Sequence, residues 1–581
     1  MSEMTQLAKR DAAHLLHPVT APRDMEADGA RVVVQGDGWW VTDDRGRRII
    51  DAFAGLWCVS AGHGRHEIID AVRDQMETLE YFTTFHGQSH PRAIELAERL
   101  CGMFPPEYHL NHVMFSSGGS EANETNMKLV RLYRAVRGED RRMTIVARHH
   151  AYHGLTIATM TATGIMPMRW NFGPEAPGFA HISAPYCYKC EFGRTYPSCR
   201  LACADDLEAL IEREGADTIA AFIAEPVIGA GGIIPAPADY FARVRDICDR
   251  HGILLILDEV VTGFGRTGTM FGFEHYGLRP DVVTLAKGIT SGYLPLGASV
   301  ISDEIYDTIR SRLPDHMPIS HGFTYSGHPA CCAAALANID IIEREGLPAN
   351  AAAIGAYLLD RLRDRFAGFA SVGDIRGQGL MIGIELVADK KTKRGFSMPH
   401  AACARVEAEA WERGLYVRAM ATEVVGIAPP LTIDRTCADQ IVEILAESIA
   451  AMEADLLPRE REAARRRAER RVDSVDALFQ AMSDRFDPAK AVGVDLVAQF
   501  ALSDEGGTTA FWVVTIRNGT ITVERLASEH REAAVTIRAG ASDYVRIANG
   551  ELSGAEAFST QRLTIDGDLA RAAKLAELGL I

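Results

Sequence analysis

Short, nearly continuous apolar runs alternate with amphipathic helical stretches from about residue 60 to 330, and this alternation constrains the fold most. Runs such as "TIAAFIAEPV" and "ILLILDEVV" lack the regular polar alternation of half-exposed strands. They are typical of strands buried on both faces of a parallel sheet. Their alternation with helices predicts a doubly wound α/β domain with a mainly parallel sheet.

A chain of 581 residues is too long for one hydrophobic core. We expect an N-terminal segment that contributes to the small domain and the active site, a large domain, a small α+β domain, a charged helical linker and a separate α+β domain. Their predicted bounds are 1–60, 61–330, 331–455, 456–474 and 475–581. The run "PREREAARRRAERRVD" fills the linker, and Asn518-Gly519 predicts a hairpin in the last domain.

The formal charge of -17 argues against nucleic acid or an anionic membrane as the main partner. The arginine-rich run has no interleaved aromatic residues, so it favours a solvated helix over a nucleic-acid site. No apolar run is long enough to span a bilayer, and the N-terminus has no secretion-signal pattern. We therefore expect a cytoplasmic protein.

Four of the eleven cysteines fall within one stretch, "CYKCEFGRTYPSCRLAC". Cys187 and Cys190 have the two-residue spacing of zinc sites, whereas three residues separate Cys199 from Cys203. The gap between the two pairs is shorter than in common zinc ribbons. We expect no metal, and a metal site at these thiols is the alternative to a loop of reduced thiols or a fortuitous disulfide.

A single lysine, Lys287, ends the apolar run "DVVTLAKG", and Asp258 ends "ILLILDEVV". In an open α/β sheet both side chains would project from the carboxyl ends of neighbouring strands, where ligands bind. A desolvated lysine becomes a nucleophile that forms Schiff bases, and an aspartate in the same pocket holds a ring nitrogen protonated. Pyridoxal phosphate enzymes use this pair. Considered alone, Asp258 would be interpreted as a helix cap and Lys287 as a solvated surface residue.

A phosphate-bearing cofactor needs an anion site, and "VMFSSGGSEANE" provides a strand, a Ser117–Ser120 turn and a helix start. Free N–H groups at a helix start favour phosphate, although such turns usually only cap helices. The lysine of nucleotide-binding P-loops is missing here. Tyr152, after the strand "MTIVA", is placed to stack on a flat ring, with ordinary packing as the alternative.

Six motifs follow one another along the chain: "SSGGSEANE", "AYHGLT", "EPV", "LLILDEVVTGFGRTG", "LAKGITSGYLPLGA" and "HGFTYSGHP". Their order and spacing resemble those of class III pyridoxal-phosphate aminotransferases, especially the omega or amine:pyruvate group, and the likeness covers about residues 30–455. It implies fold type I, with a mainly parallel large domain and a small α+β domain. It also implies a homodimer, or a dimer of dimers, with active sites at the subunit interface.

The resemblance assigns a role to each motif residue. Lys287 would form the Schiff base with pyridoxal 5'-phosphate and move the proton, and Asp258 would pair with the pyridine nitrogen. The other implied cofactor contacts are Gly119 and Ser120 at the phosphate, Tyr152 and Val260 on the two ring faces, Glu225 near Asp258, and Thr324 at the other subunit's phosphate.

The same family places the substrate against Trp57, Phe85, Tyr152 and the mobile arginine Arg418, which clamps a carboxylate. Core packing is the alternative for Trp57, and a surface ion pair is the alternative for Arg418. The implied reaction moves the amino group of a primary amine to a keto acid, most simply pyruvate. The cysteine-rich segment resembles taurine:pyruvate and diamine-active members, which favours taurine, putrescine or another omega-amine as the donor. The alternatives are long-chain lipophilic amines or ketones, and a decarboxylating or racemising relative.

The last domain resembles the sterol carrier protein 2 (SCP2) family in "AVTIRAG", "DYVRIANGELSGAEAF" and "LTIDGDLARAAKLAEL". That family holds acyl chains or sterols in an apolar tunnel, which implies a possible lipid ligand. The alternatives are an interaction module with a filled core, or a lipid-binding protein whose enzyme domain is inactive. Scaffolds of this kind serve many functions, so the resemblance leaves these readings open.

Overall fold

The N-terminal segment forms short helices and an antiparallel sheet of three strands. The structure, a computed structural model, describes residues 4–170, 172–397, 401–420, 423–469, 471–504, 506–530, 532–552, 554–559, 562–568, 571–572, 574–575, 578 and 580. The segment contains α1 (Gln6–His14), α2 (Pro22–Asp28), β1 (Val33–Asp37), β2 (Trp40–Asp43), β3 (Arg48–Asp51) and the single turn α3 (Ala54–Trp57).

The large domain alternates helices and strands along the chain. Its elements are α4 (His66–Thr78), α5 (Pro91–Cys101), β4 (His112–Ser116), α6 (Gly119–Val136), β5 (Thr144–Arg148), α7 (Ile157–Ala162), β6 (Phe179–Ile182), α8 (Ala202–Glu214), β7 (Ile219–Ala224), β8 (Val227–Ile228), β9 (Ile234–Pro235), α9 (Tyr240–His251), β10 (Leu254–Asp258), β11 (Val282–Leu285), β12 (Gly297–Ile301), α10 (Asp303–Arg312) and α11 (Pro329–Arg344).

A seven-stranded sheet in the order β4-β12-β11-β10-β7-β5-β6 forms the core of this domain. Neighbouring strands are parallel except at β12, which is antiparallel to both β11 and β4. Every residue of β7, β10 and β11 is buried, which explains why their sequences lack polar alternation. The arrangement confirms the predicted doubly wound α/β domain with a mainly parallel sheet.

The small domain combines an antiparallel sheet, in the order β13-β14-β17-β16, with three helices. Its elements are α12 (Leu347–Phe366), β13 (Val372–Gly377), β14 (Ile382–Leu386), α13 (Ala401–Glu412), β15 (Leu415–Tyr416), β16 (Arg418–Ala419), β17 (Val424–Ile427) and α14 (Arg435–Ala468). Strand β15 pairs with β3, so the N-terminal segment and the small domain share a sheet. Helix α14 continues without interruption into the segment predicted as a linker.

A buried ion cluster fastens the small domain to the large one. Arg376 on β13 pairs with Glu385 on β14 at 2.7 Å, and Glu385 also accepts a hydrogen bond from the hydroxyl of Tyr186. The Arg376 guanidinium donates to the carbonyl oxygens of Gly232 at 2.6 Å and Ile233 at 2.8 Å. Because Gly232, Ile233 and Tyr186 belong to the large domain, these charged hydrogen bonds cross the domain boundary.

The C-terminal domain is a five-stranded sheet, ordered β20-β19-β18-β21-β22, with helices packed on it. Its elements are α15 (Val475–Arg485), β18 (Leu496–Ser503), β19 (Thr509–Arg517), β20 (Thr520–Leu526), β21 (Val535–Gly540), α16 (Ala541–Ala548), α17 (Gly554–Ser559) and β22 (Leu563–Gly567). Asn518 and Gly519 have positive φ angles of 51° and 73° and make the predicted tight turn between β19 and β20. Within the described parts of the chain, no helix has the length and apolarity that a membrane span requires.

Candidate active site

Lys287 and Asp258 lie at the carboxyl ends of two neighbouring parallel strands. Asp258 is the last residue of β10 and stands in register with Thr284 of β11. Lys287 follows β11 by two residues, in a short turn that continues to Ile289. The strand ends therefore bring the amine and the carboxylate to the same edge of the sheet, as their positions in the sequence predict.

The amine of Lys287 lies among several ionisable groups. Burial lowers the pKa of Lys287, the Cys58 thiol and the Asp258 and Glu225 carboxyls oppose this shift, and Arg418 adds to it. A lysine with a lowered pKa has a larger uncharged fraction, which is the nucleophilic form. Cys58, directly after Trp57 in the sequence, is a neighbour that the sequence patterns did not indicate.

The Asp258 carboxylate is held by three donors. Its Oδ2 accepts hydrogen bonds from Asn123 Nδ2 at 2.7 Å and His153 Nδ1 at 2.8 Å, and its Oδ1 accepts from the Val260 N–H at 3.1 Å. Asn123 also donates to the carbonyl of His153 at 2.8 Å and accepts from the Thr284 hydroxyl at 2.7 Å. Contacts from three elements therefore fix the direction in which this carboxylate points.

Asn123 was not among the predicted site residues, although the sequence holds a signal for it. Asn123 and Asn126 both lie on the buried face of α6, where an amphipathic helix normally carries apolar side chains. Asn126 donates to Thr284 at 2.7 Å, so the two amides share one hydroxyl of β11. Polar residues on a buried helix face are hydrogen-bonded to something, and here the partners belong to the site.

Glu225 lies beside this network, and each of its carboxylate oxygens accepts one backbone hydrogen bond. Its Oε1 accepts the Tyr152 N–H at 3.0 Å, and its Oε2 accepts the Gly229 N–H at 2.8 Å. Burial raises the pKa of Glu225, and the two N–H donors act in the opposite direction. Burial also raises the pKa of Tyr152, while the positive charge of Arg418 lowers it. Glu225 and Arg418 thus act on Lys287, and the electrostatics of Tyr152 depend on the same two groups.

The Ser117–Ser120 turn ends at the first residues of α6. Gly118 is the residue before the helix, and no side chain caps the free N–H groups there. A Cβ atom on Gly119 would lie 2.9 Å from both methyl groups of Val260, so only glycine permits this approach. The Ser120 hydroxyl lies 3.4 Å from the Leu155 N–H. An open helix N-terminus of this kind binds anions.

The turn that carries Lys287 is supported from α11. Asn338 is fully buried and donates from Nδ2 to the carbonyls of Gly288 at 2.8 Å and Ile289 at 3.0 Å. Its Oδ1 accepts from the Ser291 hydroxyl at 2.6 Å. Lys287 and Ser291 both have positive φ angles, 48° and 49°, which are costly for residues other than glycine. Asn338 thus stabilises a strained turn, a role that no local sequence pattern indicates.

Replacing Asn338 by alanine is expected to lower the free energy of unfolding by about 2–4 kcal/mol, because each unpaired buried group costs about 1–3 kcal/mol. It should also lower kcat roughly 10- to 100-fold, because misplacing a reacting group by about 1 Å is costly. Asn350→Ala is the matched control, since Asn350 likewise donates to two carbonyls, those of Leu431 and Ile433. Denaturant unfolding and single-turnover rates measure the two effects. Equal rate losses in both variants would contradict the positioning role.

Trp57 and Arg418 flank the site from the N-terminal segment and the small domain. Trp57 is 4% exposed, with its ring centroid 4.4 Å from that of Phe53, and it belongs to an apolar cluster that includes Val261. Arg418 begins β16 and is partly buried. Among the residues that the structure describes, no carboxylate forms an ion pair with Arg418. A guanidinium without an acidic partner beside a lysine is able to receive an anionic ligand.

Phe85 and Thr324 lie elsewhere, at edge strand β4, two strands away from β11. A cavity of about 840 Å³ opens there, lined by Phe85, His321 and Phe115 among others. The Thr324 carbonyl accepts a hydrogen bond from the Tyr81 hydroxyl at 2.7 Å. The structure therefore groups Phe85 with the Thr324 loop but does not bring either to Lys287 within one chain.

The cysteine-rich stretch forms a loop that leads into α8, with Cys203 in the first turn of that helix, and all four thiols are free. Cys187 is exposed and the other three are partly buried. Burial, followed by the neighbouring thiols, raises the pKa of Cys187 and of Cys203, the latter to about 12. Across the described residues, no three or more His, Cys, Asp or Glu side chains are arranged to hold a metal ion. That these thiols hold no metal stays a prediction.

The assembled groups fit pyridoxal phosphate. Lys287 offers an amine for its carbonyl group, Asp258 a carboxylate for its ring nitrogen, and the start of α6 free N–H groups for its phosphate. Gly119 leaves room beside Val260 that any larger residue would fill. Each chemical feature of the cofactor thus has a counterpart in this chain.

Comparison with known proteins agrees with this site. The family profile described as Aminotransferase class-III matches residues 23–449, and the profile described as SCP-2 sterol transfer family matches residues 475–579. A diaminobutyrate–2-oxoglutarate transaminase from Halomonas elongata is 40% identical over 448 residues, which cover 76% of this chain and 95% of the relative. A putrescine–pyruvate aminotransferase from Pseudomonas aeruginosa is 37% identical over 453 residues, covering 78% and 97%.

Solved structures show the same fold over the same region. An (S)-enantioselective omega-transaminase from Thermomicrobium roseum is 47% identical with a TM-score of 0.73, and the match covers 78% of this chain and 98% of that one. An omega-transaminase from Pseudomonas jessenii, solved in complex with PMP, is 35% identical with a TM-score of 0.76, covering 78% and 100%. In both cases the match spans nearly all of the solved chain.

Proposed function

The chain belongs to the class III aminotransferases, and from this premise we propose that it transfers the amino group of a primary omega-amine to pyruvate, yielding an aldehyde or ketone and alanine. Members of the family are pyridoxal-phosphate-dependent transaminases of fold type I that act on amines. The observation that carries the finer proposal is the position of Arg418. Its positive charge acts on both Lys287 and Tyr152, and it has no acidic partner among the described residues.

Pyridoxal phosphate, when bound, supplies an electron sink for the carbon that carries the substrate nitrogen. In our proposal this chain contributes four actions. Lys287 Nζ binds the cofactor and later moves a proton to or from the reacting carbon, because its lowered pKa leaves it uncharged more often. Asp258, oriented by Asn123 and His153, keeps the ring nitrogen protonated. The start of α6 binds the phosphate, and Tyr152 restricts the ring from one face.

The keto acid is held by Arg418 in this proposal. A guanidinium binds a carboxylate through two parallel hydrogen bonds, which orients the carbonyl carbon toward Lys287. When an uncharged amine occupies the site, the arginine must turn away, since a buried unpaired charge is costly. Arg418 is itself only partly buried, at the start of the two-residue strand β16.

The same geometry favours some omega-amines over others. The carboxyl groups that act on Lys287 are those of Asp258 and Glu225, and both already accept hydrogen bonds from fixed donors. Our proposal commits Asp258 to the ring nitrogen, so among the described carboxylates that act on Lys287 a second ammonium group, as in putrescine, has only Glu225 to pair with. A sulfonate or carboxylate tail finds Arg418. We therefore favour taurine, β-alanine and uncharged amines over diamines as donors.

Replacing Arg418 by glutamine is expected to lower kcat/KM for pyruvate roughly 10- to 150-fold, since charged hydrogen bonds contribute about 1.5–3 kcal/mol. The half-reaction with an uncharged amine such as phenylethylamine should be nearly unchanged. Arg418→Lys keeps the charge without the planar fork and should fall between the two. Stopped-flow absorbance of the cofactor follows each half-reaction separately. Equal losses for the acid and the amine would contradict the clamp.

A donor and acceptor screen tests the overall reaction. Holoenzyme is mixed with taurine, β-alanine, putrescine, phenylethylamine and long-chain amines, with pyruvate or 2-oxoglutarate as the acceptor, and alanine or glutamate is quantified. We expect alanine from pyruvate, and stronger turnover of acidic or neutral donors than of putrescine. Racemisation or loss of CO₂ from a single substrate, with no alanine from any donor, would instead identify a decarboxylating or racemising relative.

The surface around Phe85 and Thr324 supports a homodimer, or a dimer of dimers. Phe82, Phe85, Met317 and Tyr325 are exposed apolar side chains in or near this surface. Large exposed apolar patches on monomers mark interaction sites. In our proposal a second copy covers the patch, and Phe85 and Thr324 of each chain complete the site of the other. Size-exclusion chromatography with light scattering tests the assembly.

The C-terminal domain supports a second, lipid-related activity. Among the described residues, the Tyr544 hydroxyl and the Trp512 indole N–H have no hydrogen-bond partner although both are buried in the core of this domain, and Phe479 stacks on Trp512 at 4.6 Å. Buried polar groups are normally paired, so these two suit an apolar ligand that carries one polar group. Displacement of a fluorescent fatty acid tests this activity, and a Tyr544→Phe variant should bind it more weakly. The eleven free thiols further support a reducing compartment, which we propose is the cytoplasm.

A further inference from the structure

The C-terminal domain is joined to the small domain by a helix that is packed well beyond the small domain's own core. Within α14, Leu457 and Glu460 are only 7% and 8% exposed. Glu460 accepts hydrogen bonds from the Ser397 N–H at 2.7 Å and the Ser397 hydroxyl at 2.8 Å, and it pairs with Arg394 at 3.2 Å. The first turns of the predicted linker are therefore attached to the protein surface rather than solvated on all sides.

The short connection after α14 is attached at its other end as well. Val472 is buried in the core of the C-terminal domain. The Asn549 side chain accepts the Val472 N–H at 3.0 Å and donates to the Val472 carbonyl at 2.8 Å, and Arg471 pairs with Glu551 at 3.0 Å. A Gly/Ser-rich linker would let the domain diffuse, whereas here the described residues on both sides of the connection are attached to folded parts of the chain.

The C-terminal domain also meets the large domain. Helix α17 runs beside the turn Met166–Met168, with Cα atoms of the two within 8 Å of each other. Met166 and Met168 are both partly buried. Methionine side chains adapt to irregular surfaces, which suits them to a contact between two domains.

The Met166–Met168 turn is directly connected to the segment that carries Tyr152. The Gly164 N–H donates to the Ala151 carbonyl at 2.7 Å, and the Gly164 carbonyl accepts the His150 N–H at 3.1 Å. The Thr163 hydroxyl accepts the His153 N–H at 3.0 Å and donates to the Gly154 carbonyl at 3.0 Å. A displacement of the turn would therefore move the backbone on both sides of Tyr152.

Building on the transaminase function above, we propose that the C-terminal domain is a fixed support of the active site in its own chain. Helix α17 holds the Met166–Met168 turn, and the turn holds the backbone around Tyr152, whose ring we place against the cofactor. The domain thus contributes to amine turnover through position. This role differs from that of a tethered carrier that visits the site, and it holds whether or not the domain also binds a lipid.

The experiment uses the full chain as holoenzyme and replaces the two methionines of the turn beside α17 together, Met166→Asp and Met168→Asp. The two new carboxylates beside α17 would have to lose their hydration to keep the contact between the turn and the helix, which is costly, so we expect the contact to break. Hydrogen exchange of amides 163–170 should become about tenfold faster or more, because the turn loses its cover. The visible circular dichroism of the bound cofactor should change as Tyr152 loosens, and kcat/KM should fall about tenfold for every donor alike.

Two control variants keep the outcome decisive. Met166→Leu with Met168→Leu conserves apolar volume and should behave like the unsubstituted protein. Met143→Asp introduces the same charge at a methionine of the same domain that is 36% exposed, and it should change none of the three readouts. Unchanged exchange and dichroism in the double aspartate variant would overturn the proposal, as would equal changes in Met143→Asp. Hydrogen exchange reports the contact even if no donor is turned over, so the two proposals fail separately.

Discussion

Replacing Lys287 by alanine is expected to lower kcat by at least about 10⁴-fold, because the change removes both the covalent attachment and the proton-transferring amine, and positioned proton transfer alone contributes about 10²–10⁴-fold. The surroundings of the lysine explain the size of this effect. Asp258 and Glu225 are both held by other donors, so neither is free to take over the proton. The bound cofactor should also lose the absorbance that depends on its bond to the lysine.

Chemical rescue separates a lost base from a damaged fold. Removing the side chain leaves a space beside Cys58 and Asp258, and a small primary amine added to the solution can occupy it. We expect added methylamine to restore part of the single-turnover rate of Lys287→Ala, in proportion to the concentration of the uncharged amine. Lys287→Arg places a guanidinium there, which stays protonated at every accessible pH and forms no Schiff base. This variant should therefore show no activity at any pH. Full activity of either variant would disprove the assignment of Lys287.

Replacing Asp258 is expected to have the second largest effect, a loss of roughly 150- to 5,000-fold in kcat for Asp258→Asn. The asparagine keeps the shape of the side chain but presents an N–H₂ group to the donors of Asn123 and His153, and it removes the charge that balances a protonated ring. Removing one partner of a buried ion pair costs about 3–5 kcal/mol, which corresponds to this range. Single-turnover kinetics with one amine donor measure the loss.

A modified cofactor tests the reason for that loss. A pyridoxal phosphate analogue methylated at the ring nitrogen carries a permanent positive charge, so it does not need a carboxylate to stay protonated. We expect the analogue to recover part of the activity of Asp258→Ala, in which the smaller side chain leaves room for the methyl group. The unsubstituted enzyme should lose activity with the analogue, because the methyl group would meet the Asp258 carboxylate. No recovery in Asp258→Ala would indicate that Asp258 acts chiefly by holding Asn123 and His153.

The strands at the centre of the large domain are the part of the fold that the sequence predicts best. Apart from Asp258 itself, the runs that end at Asp258 and lead to Lys287 are apolar at every strand position but one, and both become buried parallel neighbours. The exception is Thr284, whose hydroxyl joins Asn123 and Asn126. A pattern of hydrophobicity predicts which residues are buried, but it does not specify which buried polar groups will meet.

Other parts of the site depend on contacts that local patterns do not contain. Asn338 supports the Lys287 turn from a helix some 50 positions further along the chain, through backbone carbonyls that any residue could supply. The contact of α17 with Met166–Met168 joins two domains and depends on the direction of α14. Phe85 and Thr324 are near each other but not near Lys287, so their predicted roles rest on a second copy of the chain.

The ion cluster at Arg376 has a consequence for how substrates reach the lysine. Separating the large and small domains would leave Arg376 and Glu385 paired with each other, but it would take the Gly232 and Ile233 carbonyls from the guanidinium and the Tyr186 hydroxyl from the carboxylate. Hydrogen bonds to charged groups contribute about 1.5–3 kcal/mol each, so losing all of them costs at least about 3 kcal/mol. A form opened in this way would account for at most about 1% of the molecules. The amine therefore does not enter through a hinge opening between these two domains. Entry and release must instead depend on side chains and short loops, which move faster than whole domains.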